Sequence, residues 1–203
     1  MRPRSLLLLA SLALGVVSNA QQAGIGVHGG ALLSSVKAVA ITTQPISGAT
    51  VGVHAPIGIG PRLELQPEIG VSSLGTRYIE PDGDAYTDRP LYVQAPISLK
   101  LFLTNAFHVS GGYQFGKLLS AQRSAAEENT DVKALYEPMD MGFILGTGVD
   151  FASGVDLELR YYSAMSTNLV NDDALYSKHR SLQLTVGYRF LQFKRKGHFR
   201  RRG

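Results

Sequence analysis

The sequence of 203 residues contains no cysteine and no tryptophan. Without cysteine the chain forms neither a disulfide scaffold nor a thiolate metal site, and it has neither a cysteine nucleophile nor a lipidated N-terminal cysteine. Its net charge is only +4, from 20 basic and 16 acidic residues. Eight of the basic residues lie at the two chain ends, so the body is mildly acidic. This distribution argues against a nucleic-acid-binding domain, whose basic residues should line a folded surface.

Long hydrophobic runs are also lacking, except for one at the N-terminus. Met1–Arg4 is a basic start, residues 5–17 are almost wholly apolar, and Ser18–Ala20 has the small-x-small form of a cleavage site. The apolar run is shorter than the roughly 20 residues that a membrane-spanning helix needs. We therefore predict that residues 1–20 are a signal peptide and that the mature, exported chain begins at Gln21.

From Gly24 onward, apolar residues alternate with polar or small ones, which is the pattern of β-strands. Outside the signal peptide, only residues 121–135 suggest a helical period. The alternation occurs in eight runs, at residues 24–34, 49–59, 62–72, 91–103, 106–118, 139–151, 155–163 and 181–190.

The connections between these runs alternate in length. Short ones at residues 60–61, 104–105 and 152–154 fit tight turns, whereas those at 35–48, 73–90, 119–138 and 164–180 are long. This layout is typical of outer-membrane barrels. We predict an all-β fold: an eight-stranded antiparallel up-and-down transmembrane β-barrel over residues 21–190, with short periplasmic turns, long extracellular loops and a basic periplasmic tail at 191–203. Runs 24–34 and 181–190 should pair, because an open sheet edge cannot persist in hydrocarbon.

Alternation alone fits two orientations of the wall. A soluble lipocalin-like barrel would enclose the apolar face, whereas a membrane barrel would turn it outward. The number of large apolar side chains would crowd an eight-stranded interior, and many glycines lie on the polar face, where they make room in a narrow lumen. Phe107, Phe151 and Phe190 fall on the apolar face at the short-turn end, where a periplasmic aromatic girdle is expected. These observations favour the membrane barrel.

The inward face then carries a mixed set of charges that must pair or stay hydrated. We predict a charge network that plugs the lumen; an ion or solute path is the alternative, although open channels are typical of barrels of sixteen or more strands. The predicted network consists of Arg62, Glu64, Glu68, Lys100, Asp140, Asp150, Asp156, Glu158, Arg160 and Arg189.

No motif indicates catalysis, a metal or a cofactor, so we assign no residue to any of these roles. His28, His54 and His108 lie on the inward face without ligand spacing and are interpreted as members of the polar network. His108 and Ser110 share a face, which leaves a lipid-modifying hydrolase formally open. The acidic stretch 78–86 lacks the rest of a calcium loop, so its acids are interpreted as solvated loop residues that form part of a negative rim.

Four segments, in this order, resemble the PorT-like outer-membrane β-barrel family, common in Bacteroidetes-type Gram-negative bacteria: Leu65–Gly70, Tyr92–Lys100, Gly111–Leu119 and Asp140–Gly148. The resemblance runs from about Gly24 to Phe190. It implies an eight-stranded outer-membrane barrel placed by the barrel-assembly machinery. The namesake of the family is linked to protein secretion through the type IX system, and the family supplies no catalytic residues. One departure is that residues 191–203 follow Phe190, whereas such barrels usually finish at an aromatic residue.

Three functional hypotheses follow. The first is a non-enzymatic barrel in the cell outer membrane with a structural or interaction role, in contact with outer-membrane lipids and with an extracellular protein partner. The second is an accessory component of protein secretion, and the third is a lipid-modifying hydrolase. No nucleic-acid partner is expected.

Overall fold

The computed structural model describes residues 22–37, 41–80, 82–125, 128–170 and 177–194. The signal peptide and residues 195–203 of the basic tail lie outside these ranges. The described chain forms one antiparallel sheet and a single 3-10 turn, Lys133–Leu135. The strands are β1 (Gln22–Lys37), β2 (Thr42–His54), β3 (Ile57–Gly58), β4 (Leu63–Ser73), β5 (Thr76–Ile79), β6 (Ala85–Phe102), β7 (Phe107–Ala125), β8 (Glu128–Asp131), β9 (Met139–Asp150), β10 (Val155–Ala164) and β11 (Lys178–Lys194).

The sheet closes on itself. β1 pairs with β2, and the pairing continues through β4, β6, β7, β9 and β10 to β11, which pairs again with β1. At the closing seam Leu33 lies opposite Leu182, and Lys37 opposite Lys178. The predicted pairing of the first and last runs is therefore confirmed. The fold is an all-β, antiparallel, up-and-down barrel.

The structure has eleven strands, so the predicted number of eight is not confirmed. β2 ends at His54 and resumes as β3 after Pro56, because proline has no N–H to donate to the ladder. β3 nevertheless pairs with β1 and β4, the same strands that flank β2. β5 follows β4 after Leu74 and Gly75 and pairs with β2 and β6, which also flank β4. β8 folds back on β7 alone.

The three short connections are confirmed. They lie at residues 59–62, 103–106 and 151–154, and the last turn contains Gly154 with φ +92°. We call this end of the barrel the short-connection end. A residue in that region of φ is favoured to be glycine, because a Cβ would meet the preceding carbonyl.

The four long connections prove shorter than predicted, because the strands continue into them. β1 and β2 extend to Lys37 and back to Thr42, β5 and β6 form a hairpin around residues 80–84, and β7 reaches Ala125. The suggested helix over 121–135 is wrong: β7, β8 and the short 3-10 turn occupy that stretch. The inward face shifts by one residue in this stretch: Leu118 and Ala121 are buried, Leu119 and Ser120 between them are exposed, and the β6–β7 register shifts at the same point.

The two faces of the wall have the orientation predicted for a membrane barrel. Outward side chains are apolar and exposed, among them Leu145 (65%) and Leu184 (57%). Inward side chains include Lys100 and Glu158, at 0% and 2% exposure. Within the described residues, no helix has the length and apolarity needed to cross a membrane.

The interior contains a compact apolar cluster near the end that carries the long connections, which we call the long-connection end. It is formed by Leu32, Leu74, Tyr92, Leu118, Ala121, Val132 and Tyr136, with Leu169 packed against it. Four of these residues, Leu118, Ala121, Val132 and Tyr136, come from the β7–β8 hairpin and the segment after it. The folded-back connection thus packs against the interior at this end.

The closing seam offers a test of the fold. A Cβ on Gly30 would clash with the backbone oxygen of Leu184 on β11, whereas a Cβ on neighbouring Gly29 would meet only the Thr50 backbone oxygen, at 3.7 Å. We expect Gly30→Ala to lower the free energy of unfolding by about 1–3 kcal/mol, as overpacking does. Gly29→Ala, the matched control, should be neutral or slightly stabilising, because glycine weakens a strand. Urea titration of the refolded protein measures the free energy of unfolding of both variants. Equal effects of the two substitutions would contradict the close approach of β11 to Gly30 at the seam.

Candidate functional site: the charged interior

Arg160 links opposite walls of the barrel. It lies on β10, and its guanidinium donates to both carboxylate oxygens of Glu68 on β4, at 2.6 and 3.0 Å. β4 and β10 are four strands apart in either direction around the wall. The same guanidinium also donates to Glu158, two residues earlier on β10, at 3.3 Å. One cation therefore bridges the full width of the interior and binds two carboxylates.

Lys100 extends this network from β6. Its Nζ lies 3.5 Å from the Glu158 carboxylate and 3.9 Å from that of Asp150 on β9. The side chain is fully buried. Glu158 thus lies between two cations that come from different strands. An ammonium in so closed a space requires such partners, because an unpaired buried charge is very costly.

A third set of ion pairs lies nearer the short-connection end. Arg189 on β11 donates to Glu64 on β4, at 3.2 and 3.3 Å, and contacts the carboxylate of Asp150. Beyond these residues an open cavity of about 690 Å³ leads to the short turns. By contrast, the space left beside Arg160 and Glu68 amounts to about 10 Å³, no more than a single water occupies.

The inward histidines belong to the same network, and the glycines opposite them leave space for the side chains. The rings of His28 and His54 stack with centroids 5.7 Å apart. His54 lies 3.9 Å from Asp156, and His108 lies 3.5 Å from Asp150. A Cβ on Gly26 would overlap the His54 ring, one on Gly148 would crowd the His108 ring, and one on Gly187 would overlap the Asp156 carboxylate, so the close approach of these side chains requires glycine.

Eight of the ten predicted network residues lie together in the interior, and two do not. Arg62 is exposed in the turn before β4 and forms no ion pair with any residue that the structure describes. Asp140 is buried near the long-connection end, where Ser166 donates to it at 3.2 Å. Alternation places a residue on a face but does not say how far along the barrel it lies, which explains both differences.

Phe107, Phe151 and Phe190 lie at the short-connection end, with exposures of 40%, 47% and 51%. The periplasmic aromatic girdle that these three residues are predicted to form stays a prediction. β11 continues past Phe190 to Lys194.

A second polar cluster, which the sequence analysis missed, lies at the long-connection end. Asp88 on β6 accepts two hydrogen bonds from Arg123 on β7, at 2.7 and 2.8 Å, and one from Tyr136, at 2.8 Å. The Arg123 guanidinium also lies 4.0 Å from the centre of the Tyr86 ring. These residues fall in segments assigned to loops. Continuing the period of two from Tyr92 back to Asp88 would have indicated the inward face of Asp88, whereas Arg123 lies past the point where the β6–β7 register shifts.

This second cluster lies beyond the apolar outer band, since the outward neighbours on β6 there are Thr87 and Arg89. The hydrogen bonds to Asp88 raise the pKa of Arg123, so its guanidinium stays charged. Burial raises the pKa of the Tyr136 hydroxyl, which therefore stays protonated as a donor. These groups lie beside the apolar cluster at the long-connection end.

Within the described residues, Ser110 and His108 do not form a pair of nucleophile and base. Ser110 donates to Glu158 at 3.0 Å, whereas His108 faces Asp150, so the two side chains engage different partners. His108 is fully buried. No group of three or more His, Asp or Glu side chains in the described ranges has the geometry of a metal site.

The amino-acid sequence matches the outer membrane protein beta-barrel domain over residues 19–169. The chain belongs to this family. Its location is the cell outer membrane. A search of curated proteins finds no match to this chain.

The chain is similar to solved structures, of which the first described here shows the same fold. Neisserial surface protein A (NspA) has 14% identity and a TM-score of 0.54, with 83% of this chain and 99% of that chain covered. Ail, the attachment invasion locus protein of Yersinia pestis, has 16% identity and a TM-score of 0.48, covering 84% and 99%. OprG from Pseudomonas aeruginosa has 12% identity and a TM-score of 0.47, covering 87% and 99%.

The Arg160 bridge predicts a large effect on stability. Arg160→Gln should lower the free energy of unfolding by about 3–5 kcal/mol, because Glu68 is left as an uncompensated buried charge. Arg160→Gln combined with Glu68→Gln should be more stable than the single variant, since the orphaned carboxylate is gone. The control Arg62→Gln, at an exposed position, should change stability by no more than about 0.5 kcal/mol. Denaturant titration in detergent micelles provides the comparison; a double variant less stable than Arg160→Gln would contradict the bridge.

Proposed function

We propose that the protein is a non-enzymatic outer-membrane barrel with a plugged interior, which acts through its outer surface and its extracellular end. The observation that carries this proposal is the Arg160–Glu68 bridge, which crosses the interior and leaves only about 10 Å³ beside it. A path for ions or solutes would require a continuous wide lumen, and the interior narrows at this bridge.

We further propose that the eleven strands form eight membrane-crossing spans. β2 with β3, and β4 with β5, each share the same flanking strands and so act as one interrupted span. β8 pairs with β7 alone and belongs to the long-connection end. An eight-span barrel has an interior just wide enough for side chains to fill, which agrees with the ion pairs across it. We also propose that the chain belongs to the PorT-like branch of the family.

The plug has two layers of different chemistry. The ion pairs of Arg160, Lys100 and Arg189 occupy the middle and the short-connection side. The apolar cluster around Tyr92 and the Asp88–Arg123 pair closes the other end. Both layers would have to move for solute to pass, which supports a structural or interaction role over transport.

The hydrolase alternative is less well supported. A nucleophile must lie beside its base and reach the substrate, whereas Ser110 donates to Glu158 and His108 is fully buried. No observation of the structure specifically favours the secretion hypothesis.

We assign the short-connection end to the periplasm and the long-connection end to the outside, as is usual for outer-membrane barrels. The exposed phenylalanines at the short-connection end are then the periplasmic girdle. The β5–β6 hairpin presents Glu80, Asp82 and Asp84 outside, and Gly83 at its tip has φ +96°. An extracellular protein partner would meet this acidic tip. Two further acids of the long connections, Asp172 and Asp173, lie outside the described residues.

Planar-bilayer recording tests the plug. The purified protein should show no stable conductance, while heat-modifiable migration on gels confirms that the inserted material is folded. A reproducible open pore from folded protein would contradict the proposal. A deletion strain separates the alternatives: loss of secreted cargo would favour the secretion role, and a changed lipid profile that His108→Ala also produces would favour the hydrolase.

A further inference from the structure

Closure of the barrel brings basic residues from opposite ends of the chain together. At the β1–β11 seam Lys37 lies directly opposite Lys178, and Arg180 lies opposite Ser35, two residues along the same outward face. Directly opposed residues have Cβ atoms about 5 Å apart, and like charges in such pairs are destabilising. We call Lys37, Lys178 and Arg180 the seam cluster.

The seam cluster has no acidic partner among the residues that the structure describes. Lys37 and Arg180 are exposed, and Lys178 is half-buried. Among the described residues, the inward cations Lys100, Arg123, Arg160 and Arg189 are each held by a carboxylate, whereas the three outward cations of the seam cluster lie beside one another. Such an arrangement is suited to binding an anion.

The surroundings indicate which anion fits. Moving from the cluster toward the short-connection end, the next outward pair across the seam is Leu33 and Leu182, which are 53% and 45% exposed. Ser35 on β1 and Ser163 on β10 flank Arg180 and offer hydroxyl donors. The outward surface thus changes directly from aliphatic to cationic and hydrogen-bonding.

We propose that the seam cluster binds the phosphate groups of an outer-leaflet lipid whose acyl chains lie along the aliphatic surface below. Lys and Arg at a membrane interface reach toward lipid phosphates, and the arginine fork suits a phosphate. A bound phosphate also relieves the repulsion between Lys37 and Lys178. This assignment to the outer leaflet rests on the orientation given under Proposed function.

The test is native mass spectrometry of the folded full chain released from neutral detergent. The ligands are bisphosphorylated lipid A, the same lipid after its phosphates have been removed, and inorganic phosphate. We expect lipid A to bind more tightly than its dephosphorylated form, and inorganic phosphate at the same concentration not to compete. Equal binding of the two lipids, or displacement of lipid A by inorganic phosphate, would overturn the lipid assignment.

Two triple variants locate the site. Lys37→Gln with Lys178→Gln and Arg180→Gln should weaken lipid A binding by about fivefold for each charge removed, or roughly 100-fold in total. The matched control, Arg62→Gln with Lys117→Gln and Lys133→Gln, removes the same charge at separate exposed positions and should bind as the wild type does. Equal binding by the two triple variants would overturn the seam site.

A single variant gives a second measurement that does not depend on the triple variant. In neutral detergent without anionic lipid, Lys178→Gln should raise the midpoint temperature of unfolding, because the repulsion with Lys37 is removed. With lipid A present, the same variant should gain less stabilisation than the wild type. A lower midpoint temperature without lipid would contradict the repulsion on which the proposal depends.

Cysteine labelling separates a wrong orientation from a wrong site. The chain has no native cysteine, so an impermeant maleimide on whole cells should label Asp84→Cys and leave Asn105→Cys unlabelled. The reverse pattern would overturn the orientation and, with it, the outer-leaflet source. The binding results, by contrast, test the seam cluster alone.

Discussion

Complete pairing of the backbone is the constraint on which the rest of this structure depends. In hydrocarbon each unpaired N–H or C=O costs several kcal/mol, so a sheet can persist only if its first strand meets its last. β1 and β11 satisfy this requirement along almost their whole length. Closure then determines which side chains face each other across the interior, and it brings residues 37 and 178 into contact range on the outside.

The chemistry of the interior follows from that closure. A strand that turns aliphatic residues toward lipid must turn its alternate residues inward. The protein fills this space with ion pairs in place of a hydrophobic core. Arg160 forms ion pairs with Glu68 and Glu158, and Lys100 forms ion pairs with Glu158 and Asp150. Replacing one member is costly because the others cannot regain hydration.

Much of the wall could be predicted from the sequence, because a period of two marks both the strand and its face. The pairing of the ends and the short turns are examples. The partners within the interior could not be predicted, since Arg160 and Glu68 are 92 residues apart and meet only at a particular stagger of opposite strands. The second polar cluster, around Asp88 and Arg123, was missed for another reason. Polar residues also face outward there, so the alternation between apolar and polar residues is lost where the strands leave the apolar band.

Spin-label accessibility along β11 tests the central claim, that the aliphatic face meets lipid and the polar face is enclosed. Single cysteines from Ser181 to Tyr188 can be labelled uniquely, because the chain has none of its own. In lipid vesicles, collision with membrane-soluble oxygen should peak at Leu182, Leu184 and Val186, and fall at Gln183 and Thr185 between them. Peaks at Gln183 and Thr185, with low values at the leucines, would contradict the account.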